Sequence, residues 1–187
     1  MIPSLEQALE GGARCFQLRE KDLSPNALLE LALEMNERIT RCGGFLIIND
    51  RADIAEMAGA AGVHLTENSV PASAVKKQFP RLKIGVSTHT LEGALNAEKN
   101  GADFITFSPI FETPSKKEFG PPQGLDRLKE VIETTHIPVL ALGGVKKGHL
   151  ETILNLGAHG VAMISGIWSG SNIEQNTFEY IKILSRT

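Results

Sequence analysis

The sequence is poor in cysteine and contains no long apolar run. Its two cysteines, Cys15 and Cys42, are too few for a disulfide framework and lack metal-ligand spacing, which is typical of a protein in a reducing compartment. No apolar segment approaches the roughly 20 residues of a membrane span. No signal peptide opens the chain. These absences argue against the disulfide-rich secreted and membrane-spanning classes, and they predict a cytoplasmic location.

The chain also lacks a strong charge of either sign. Its 19 basic and 22 acidic residues give a formal net charge of −3 at neutral pH, so nothing predicts a nucleic acid or an anionic membrane as partner. At 187 residues, the chain is long enough to bury one core and too short for two well-packed domains. We therefore expect one domain over residues 1–187. The oligomeric state stays open, with a homo-oligomer as one option.

What the sequence does contain is a regular alternation of short apolar runs with amphipathic segments. The runs are β-branched and nearly continuously apolar, as expected for parallel strands buried on both faces. Several of the intervening segments carry helix start signals: Ser4 and Gln7 fit a capping box, and Ser24 before Pro25 fits an N-cap. The apolar runs lie at about 15–18, 45–49, 62–65, 83–87, 103–108, 138–142 and 160–164.

The uniform order of strand and helix favours a closed barrel over the alternative, an open doubly wound sheet. The sequence shows seven strands, one fewer than a closed eight-stranded barrel requires, and its first helix starts at about Ser4. We therefore expect an α/β fold, a TIM (β/α)8 barrel with its first strand missing. A sequence that starts after that strand and a real absence of the strand both explain the count.

Polar residues follow the strands at the ends where parallel α/β proteins bind ligands. The first group is Gln17, Arg19 and Lys21, which strand alternation places on one side. Cations that face a barrel interior need a compensating anion, so we interpret the group as a phosphate or diphosphate clamp. A salt bridge with Glu20 or Asp22 is the alternative.

Asn49 and Asp50 form a second group, directly after the second apolar run. A carboxylate at a strand end can hold Mg²⁺, which usually takes one or two protein carboxylates and keeps several waters. The alternative is a helix N-cap for the helix that starts near Arg51. The two roles are compatible, because they fall on adjacent residues.

The third group lies on the segment from Pro109 to Gly124, which is longer than a typical strand-to-helix connection. Long loops on such scaffolds often act as lids, and Thr113, Ser115 and Lys116 are suited to reach a phosphorylated substrate. A solvated surface loop is the alternative.

The fourth group is Gly143 and Gly144 together with Ser165 and Gly166. Loops after the last two strands of such barrels commonly bind phosphate through backbone N–H groups, and simple turns are the alternative. No arrangement of Ser, His and Asp or of Cys and His predicts covalent catalysis. We interpret the five histidines as structural or solvated: His64, His89, His136, His149 and His159.

Taken in chain order, these motifs resemble the thiamine phosphate synthase/TenI family. The resemblance rests on QLREK, IIND, GVHL, GVSTHT, GADFITFSPIFETPSKK, ALGG and GVAMISGI, and it runs over nearly the whole chain. It implies a single thiamine phosphate synthase-like barrel domain over residues 1–187. It also implies a transferase of thiamine biosynthesis, which joins hydroxymethylpyrimidine diphosphate to thiazole phosphate and releases pyrophosphate. The implied partners are small phosphorylated heterocycles.

The resemblance further implies roles for residues at matching positions. Mg²⁺ is the implied cofactor, with Asp50 as a ligand. No protein nucleophile is needed, because the thiazole nitrogen attacks a pyrimidine-stabilised cation. The implied contacts with the pyrimidine diphosphate are Gln17, Arg19, Lys21, Asn49, Ser87 and Lys116, of which Arg19, Lys21 and Lys116 are the catalytic residues. The implied contacts with the thiazole phosphate are Thr113 and Ser115 and the backbones of Gly143, Gly144, Ile164 and Ser165.

One position departs from the family pattern. After GVHL the synthase carries Gly-Gln and then an acidic residue, the second metal ligand, whereas Ser69 stands in that acidic position here. A hydroxyl is a weaker Mg²⁺ ligand than a carboxylate, so we expect weakened metal binding and a weaker case for synthase activity. Glu67 is a possible substitute, two residues away.

Two alternatives to the synthase therefore stay open. One is a TenI-like thiazole tautomerase, which needs no metal and whose characteristic histidine would fall at Pro109. The other is a non-catalytic barrel that binds thiamine-related phosphates.

Overall fold

The structure is a computed structural model and describes residues 1–113, 121–169 and 172–185. Within these ranges, strands and helices alternate along the chain. The strands are β1 (Cys15–Leu18), β2 (Phe45–Asn49), β3 (Gly62–Leu65), β4 (Lys83–Thr88), β5 (Phe104–Phe107), β6 (Val139–Leu142) and β7 (Gly160–Ala162). The helices are α1 (Ile2–Glu10), α2 (Pro25–Arg41), α3 (Ala52–Met57), α4 (Ala72–Gln78), α5 (Leu91–Lys99), α6 (Gly124–Thr134), α7 (Leu150–Asn155), α8 (Ser165–Trp168) and α9 (Ile173–Leu184), with a 3₁₀ turn (Lys147–His149) before α7.

Helix starts follow the local sequence signals only in part. The Ser24 side chain accepts a hydrogen bond from Ala27 N at 3.3 Å, and α2 begins at Pro25 as predicted. The predicted capping box at Ser4 is wrong. Helix α1 already begins at Ile2, so the amide of Ser4 belongs to the first turn and donates to Met1 O at 3.1 Å.

The strands form one parallel sheet in which each strand pairs with the next along the chain. The sheet has seven strands in the order β1 to β7, and within the described ranges β1 and β7 are its two edges. This confirms the α/β class and the parallel order. The closed eight-stranded barrel does not form, because no pairing between β1 and β7 joins the edges. The fold is a TIM-like partial barrel.

The helices cover one face of this sheet, and the core lies between the two layers. A first apolar cluster packs β2 residues such as Leu46 and Ile48 against α2 residues such as Ala32. A second cluster packs Ile105 of β5 against Leu128 of α6. No helix in the described ranges is long and apolar enough to cross a membrane.

The other face of the sheet is the interior of the partial barrel and holds polar groups as well as apolar ones. His64 is 4% exposed, its Nε2 lies 3.3 Å from Thr106 Oγ1, and its ring stacks on Phe104. His64 is therefore a core residue, in keeping with its structural interpretation. Cys15 lies on the edge strand with part of its surface exposed, yet burial of the thiol raises its pKa to about 11. A thiol with so high a pKa is a poor nucleophile at neutral pH.

Candidate active site at the carboxyl ends of the strands

The seven parallel strands place their carboxyl ends at one edge of the sheet. We call this edge the mouth. The described candidates that belong to it are Gln17, Arg19, Lys21, Asn49, Asp50, Ser87, Thr113, Gly143, Gly144, Ile164 and Ser165. Two predicted residues, Ser115 and Lys116, lie outside the described residues.

The ends of β1 and β2 bring two predicted residues into direct contact. Gln17 Nε2 donates a hydrogen bond to Asn49 Oδ1 at 3.1 Å. Gln17 lies opposite Ile47 in the strand register, and Asn49 follows Ile47 on the same face of β2. The pair keeps Asn49 Nδ2 as a donor and Gln17 Oε1 as an acceptor, so it can bind a ligand with polar groups of both kinds.

Arg19 and Lys21 are exposed cations just beyond β1. Because β1 ends at Leu18 and Lys21 lies in a bend, strand alternation does not determine the side on which Lys21 lies. The alternative interpretation, a salt bridge with Glu20 or Asp22, is not observed. Neither cation forms an ion pair within residues 1–113, 121–169 and 172–185. Cations without a counter-charge favour an anionic ligand.

Asp50 follows β2 and has a left-handed backbone with φ of 62°. Aspartate is among the few non-glycine residues that tolerate this region. Its amide donates to His64 O at 2.9 Å, which ties Asp50 to β3, and its carboxylate accepts a hydrogen bond from Ser69 Oγ. The alternative role as a helix cap is not observed, because α3 begins at Ala52 without any side-chain cap.

Ser69 itself is held by a tight turn after β3. Its Oγ accepts from Thr66 N at 2.8 Å and lies 2.9 Å from Thr66 Oγ1, while its own amide donates to Thr66 O at 3.1 Å. Thr66 is not among the residues that the sequence singled out. The available signal is two hydroxyl residues three apart, directly after a strand, a pattern typical of hydroxyl-stabilised turns.

The donor set around Asp50 fits a metal ion only in part. Among the described residues, no group of three His, Cys, Asp or Glu side chains is placed to hold a metal. Glu67 points toward α5, where its Oε1 would lie 3.3 Å from a Cβ added at Gly93. Mg²⁺ needs only one or two protein carboxylates when phosphates and waters supply the other ligands. Asp50 fits that kind of site and not a cage made by the protein alone.

The end of β4 adds a histidine that the sequence did not favour as a functional residue. Ser87 is half-buried and pairs with Thr106 of β5. Nearby, His89 Nδ1 lies 2.6 Å from Ser108 O and 3.3 Å from Ser108 Oγ. Because a carbonyl oxygen only accepts, Nδ1 is the protonated nitrogen of this imidazole. The imidazole of His89 therefore lies against the residue that precedes Pro109.

Gly143 and Gly144 follow β6 and have positive φ values of 94° and 65°. A Cβ at Gly143 would lie 2.8 Å from Pro109 Cα, and one at Gly144 would lie 2.7 Å from Glu112 O. Phe111 N also donates to Gly143 O at 3.0 Å. The two glycines are thus required where the backbone packs against the start of the long loop, and their role in binding phosphate stays a prediction.

The remaining candidates lie on either side of these glycines. Thr113 is half-buried at the end of the described part of the long loop, whose base is closed by Gln123 N donating to Pro109 O at 2.7 Å. Ile164 is exposed and precedes α8, which begins at Ser165. Helix α8 rests on α9, since a Cβ at Gly166 would lie 3.0 Å from Tyr180 Oη.

The fold and the mouth together define a TIM-like α/β protein with a polar site at its strand ends. Comparison with known proteins makes this more specific. Residues 1–167 match the family described as thiamine monophosphate synthase. The chain therefore belongs to the thiamine monophosphate synthase family, which confirms the resemblance found in its motifs.

Individual relatives agree with the family. A putative thiamine-phosphate synthase of Geobacter sulfurreducens is 49% identical over 168 residues, which cover 89% of this chain and 79% of that protein. The thiamine-phosphate synthase of Methanocella arvoryzae is 40% identical with the same coverage of 89% and 79%. A solved thiamine phosphate pyrophosphorylase from Pyrococcus furiosus superposes with a TM-score of 0.93 at 32% identity, covering 99% of this chain and 89% of that one. These relatives support a transferase.

Proposed function

We propose that this protein is a thiamine-phosphate synthase, which condenses hydroxymethylpyrimidine diphosphate with thiazole phosphate to give thiamine phosphate and pyrophosphate. The observation that carries the proposal is the group at the ends of β1 and β2. Exposed Arg19 and Lys21 lack ion-pair partners in the described part of the chain, and they follow a strand whose Gln17 contacts Asn49. A substrate with a diphosphate and a polar heterocycle needs cations and paired amides in this combination.

In the proposed reaction, the bond between the hydroxymethyl carbon and the diphosphate oxygen breaks, and its electron pair leaves with the diphosphate. The thiazole nitrogen then forms a bond to the same carbon. Negative charge grows on the leaving diphosphate, so fixed cations stabilise the transition state more than the ground state. Arg19 and Lys21 would supply this stabilisation together with Lys116, and the chain needs no nucleophile of its own.

The thiazole phosphate would occupy the opposite side of the mouth. There, Thr113 and Ser115 and the backbone N–H groups of Gly143, Gly144, Ile164 and Ser165 would hold its phosphate. Binding the two substrates on facing sides orients nitrogen toward carbon, which removes much of the entropic barrier of a two-substrate reaction. Asp50 is the carboxylate that would hold Mg²⁺, and bound Mg²⁺ would neutralise charge on the diphosphate.

The proposal is tested by mixing the protein with both substrates and measuring pyrophosphate and thiamine phosphate, with Mg²⁺ and with a chelator. We expect the two products in equal amounts and only with the metal. Binding of both substrates without product would contradict the proposal.

His89 favours a second candidate, the thiazole tautomerase. Its imidazole lies beside the position where the tautomerase histidine would fall, and its Nδ1–H donates a hydrogen bond to Ser108 O at 2.6 Å. A neutral imidazole in this state has Nε2 as its basic nitrogen, which suits proton transfer. The test is isomerisation of thiazole phosphate carboxylate with a chelator present, with His89→Ala as the variant that should lose it. Binding of thiamine-related phosphates with neither activity would leave the non-catalytic barrel.

A further inference from the structure

We propose that the Ser69 hydroxyl is fully engaged in hydrogen bonds and does not bind metal, so that a divalent cation binds at Asp50 only together with a diphosphate. The inference deepens the proposed function, on which it rests for the identity of the diphosphate ligand. It differs from a site with two carboxylates, which would hold the cation before any substrate arrives.

The first step is the hydrogen-bonding capacity of one hydroxyl group. A serine hydroxyl has one proton to donate and two lone pairs to accept with. Ser69 Oγ donates to the Asp50 carboxylate, which in its ionised form can only accept. Since that proton is used, the 2.9 Å contact with Thr66 Oγ1 must be donated by Thr66.

The second step counts the lone pairs of the same oxygen. One accepts from Thr66 N at 2.8 Å, and the other accepts from Thr66 Oγ1. Both are therefore occupied by donors on the turn after β3. A cation could reach Ser69 Oγ only by breaking one of these bonds, and a hydroxyl is a poor Mg²⁺ ligand even when its lone pairs are accessible.

The third step concerns the charge that remains at Asp50. Ser69 is neutral and Glu67 Oε1 lies by the first turn of α5, so Asp50 is the one carboxylate that contacts Ser69. The left-handed backbone of Asp50 and the hydrogen bond from its backbone N–H to His64 O fix where that carboxylate lies. One fixed carboxylate is too little for an all-protein Mg²⁺ site and enough for a site that the oxygens of a diphosphate complete.

The experiment measures metal binding directly, with Mn²⁺ as the probe, by electron paramagnetic resonance and titration calorimetry. The wild-type protein and Ser69→Ala should bind Mn²⁺ weakly and alike when no pyrophosphate is present. Ser69→Asp should bind Mn²⁺ at least about tenfold more tightly, because it adds a second carboxylate beside Asp50. With inorganic pyrophosphate present, the wild-type protein should bind Mn²⁺ and Asp50→Asn should lose that binding.

Two controls separate this effect from charge and from misfolding. Ser73→Asp adds the same charge at an exposed position on α4 and should leave Mn²⁺ binding unchanged. Ser69→Asn introduces a side chain of the same size as aspartate but without its charge, and it should not increase the affinity for Mn²⁺. Thermal melting of each variant shows that it is folded.

Three outcomes would overturn the inference. The first is weaker Mn²⁺ binding by Ser69→Ala, and the second is a folded Ser69→Asp protein with the same Mn²⁺ affinity as the wild type. The third is a wild-type protein that binds Mn²⁺ equally well with and without pyrophosphate. These outcomes are independent of the proposed reaction. A protein that binds Mn²⁺ with pyrophosphate at Asp50 but makes no thiamine phosphate refutes the function and keeps the inference. A protein that makes thiamine phosphate but gives one of the three overturning outcomes keeps the function and refutes the inference.

Discussion

The two sides of the mouth are built in different ways. On the side of β1 to β3, side chains contact one another: Gln17 binds Asn49, and Ser69 binds Asp50. On the side of β6 and β7, the candidate groups are mainly backbone, and Gly143 packs directly against the loop that begins at Pro109. A side-chain site can change its chemistry by one substitution without moving the backbone. A backbone site can change only if the chain is repacked.

The position of Ser69 illustrates the first half of this comparison. Ser69 stands where the family resemblance implies an acidic residue, and its hydroxyl forms hydrogen bonds with Thr66 and Asp50 that close the turn after β3. The glycines on the other side have no such freedom. We therefore expect substitutions on the first side to alter binding and catalysis, and substitutions on the second side to alter stability as well.

The largest effect should come from Gly144→Ala. The new Cβ would meet Glu112 O at 2.7 Å, and alanine is strained at a φ of 65°. Left-handed strain and overpacking together should lower the free energy of unfolding by about 2–5 kcal/mol. Urea unfolding measures this loss.

Gly148→Ala is the matched control, because nothing lies within 4 Å of a Cβ at that position. It should change the free energy of unfolding by no more than about 0.5 kcal/mol. Equal stability of the two variants would mean that the glycine side of the mouth is not constrained by packing.

Arg19→Ala should have the next largest effect, on activity rather than on stability. Loss of a cation that binds the leaving diphosphate should lower kcat/KM by about 10²-fold. Arg19 is exposed and has no ion-pair partner in the described residues, so unfolding in urea should be nearly unchanged. Steady-state kinetics of pyrophosphate release provide the measurement.

Arg127→Ala removes an exposed arginine from α6 and should leave the kinetics unchanged. If the two variants have the same kcat/KM, the β1 side of the mouth does not bind the diphosphate. The distinction between the two sides would then be lost.

A smaller effect is expected at Asp103, which lies directly before β5 and binds to β4 at the end of the sheet away from the mouth. Burial alone would raise the pKa of Asp103. Hydrogen bonds from Ile84 N at 2.9 Å and from Lys76 and Lys83 outweigh that effect and lower the pKa below its ordinary value. Asp103→Asn should therefore lower the free energy of unfolding at pH 7 by about 1 kcal/mol.

The sign of the pH dependence follows from the lowered pKa. Stabilisation by Asp103 is fully present above the pKa that this carboxyl has in the unfolded chain, about 4, and it is lost as the pH falls through the folded-state pKa. The difference between the wild-type protein and Asp103→Asn should shrink as the pH is lowered from 7 toward the acid range. Glu130→Gln, at an exposed position on α6, is the control for removal of one charge. If the difference in the free energy of unfolding between the wild-type protein and Asp103→Asn does not change with pH, the lowered pKa of Asp103 is contradicted.

The sequence predicted the parts of the fold that depend on local patterns. Short, mainly apolar runs identify β1 to β7, since strands of a parallel sheet covered by helices need apolar residues on the covered face. Ser24 and Pro25 mark the start of α2 for an equally local reason. The start of α1 was missed at Ser4. The count of seven strands was predicted, but closure of the sheet could not be, because it depends on contacts between β1 and β7, far apart in the chain.

The candidate site shows the same division. Gln17, Arg19, Asn49 and Asp50 could be placed at the mouth because each lies at, or directly after, the carboxyl end of an apolar run. The hydrogen bonds of Thr66 with Ser69 and of His89 with Ser108 could not be predicted, since they depend on the conformation of the loops in space. Alternation also fails for Lys21, because β1 ends three residues earlier.

The two open edges of the sheet have a consequence for behaviour in concentrated solution. Unpaired strand edges are templates on which other chains can add strands, the first step toward aggregates and fibrils. Both edges here are short, with four residues in β1 and three in β7. Arginines stand on either side of β1, at Arg14 and Arg19. Short length and, at β1, flanking charge are among the means by which natural sheets discourage such templating, so both features oppose the addition of a strand at these edges.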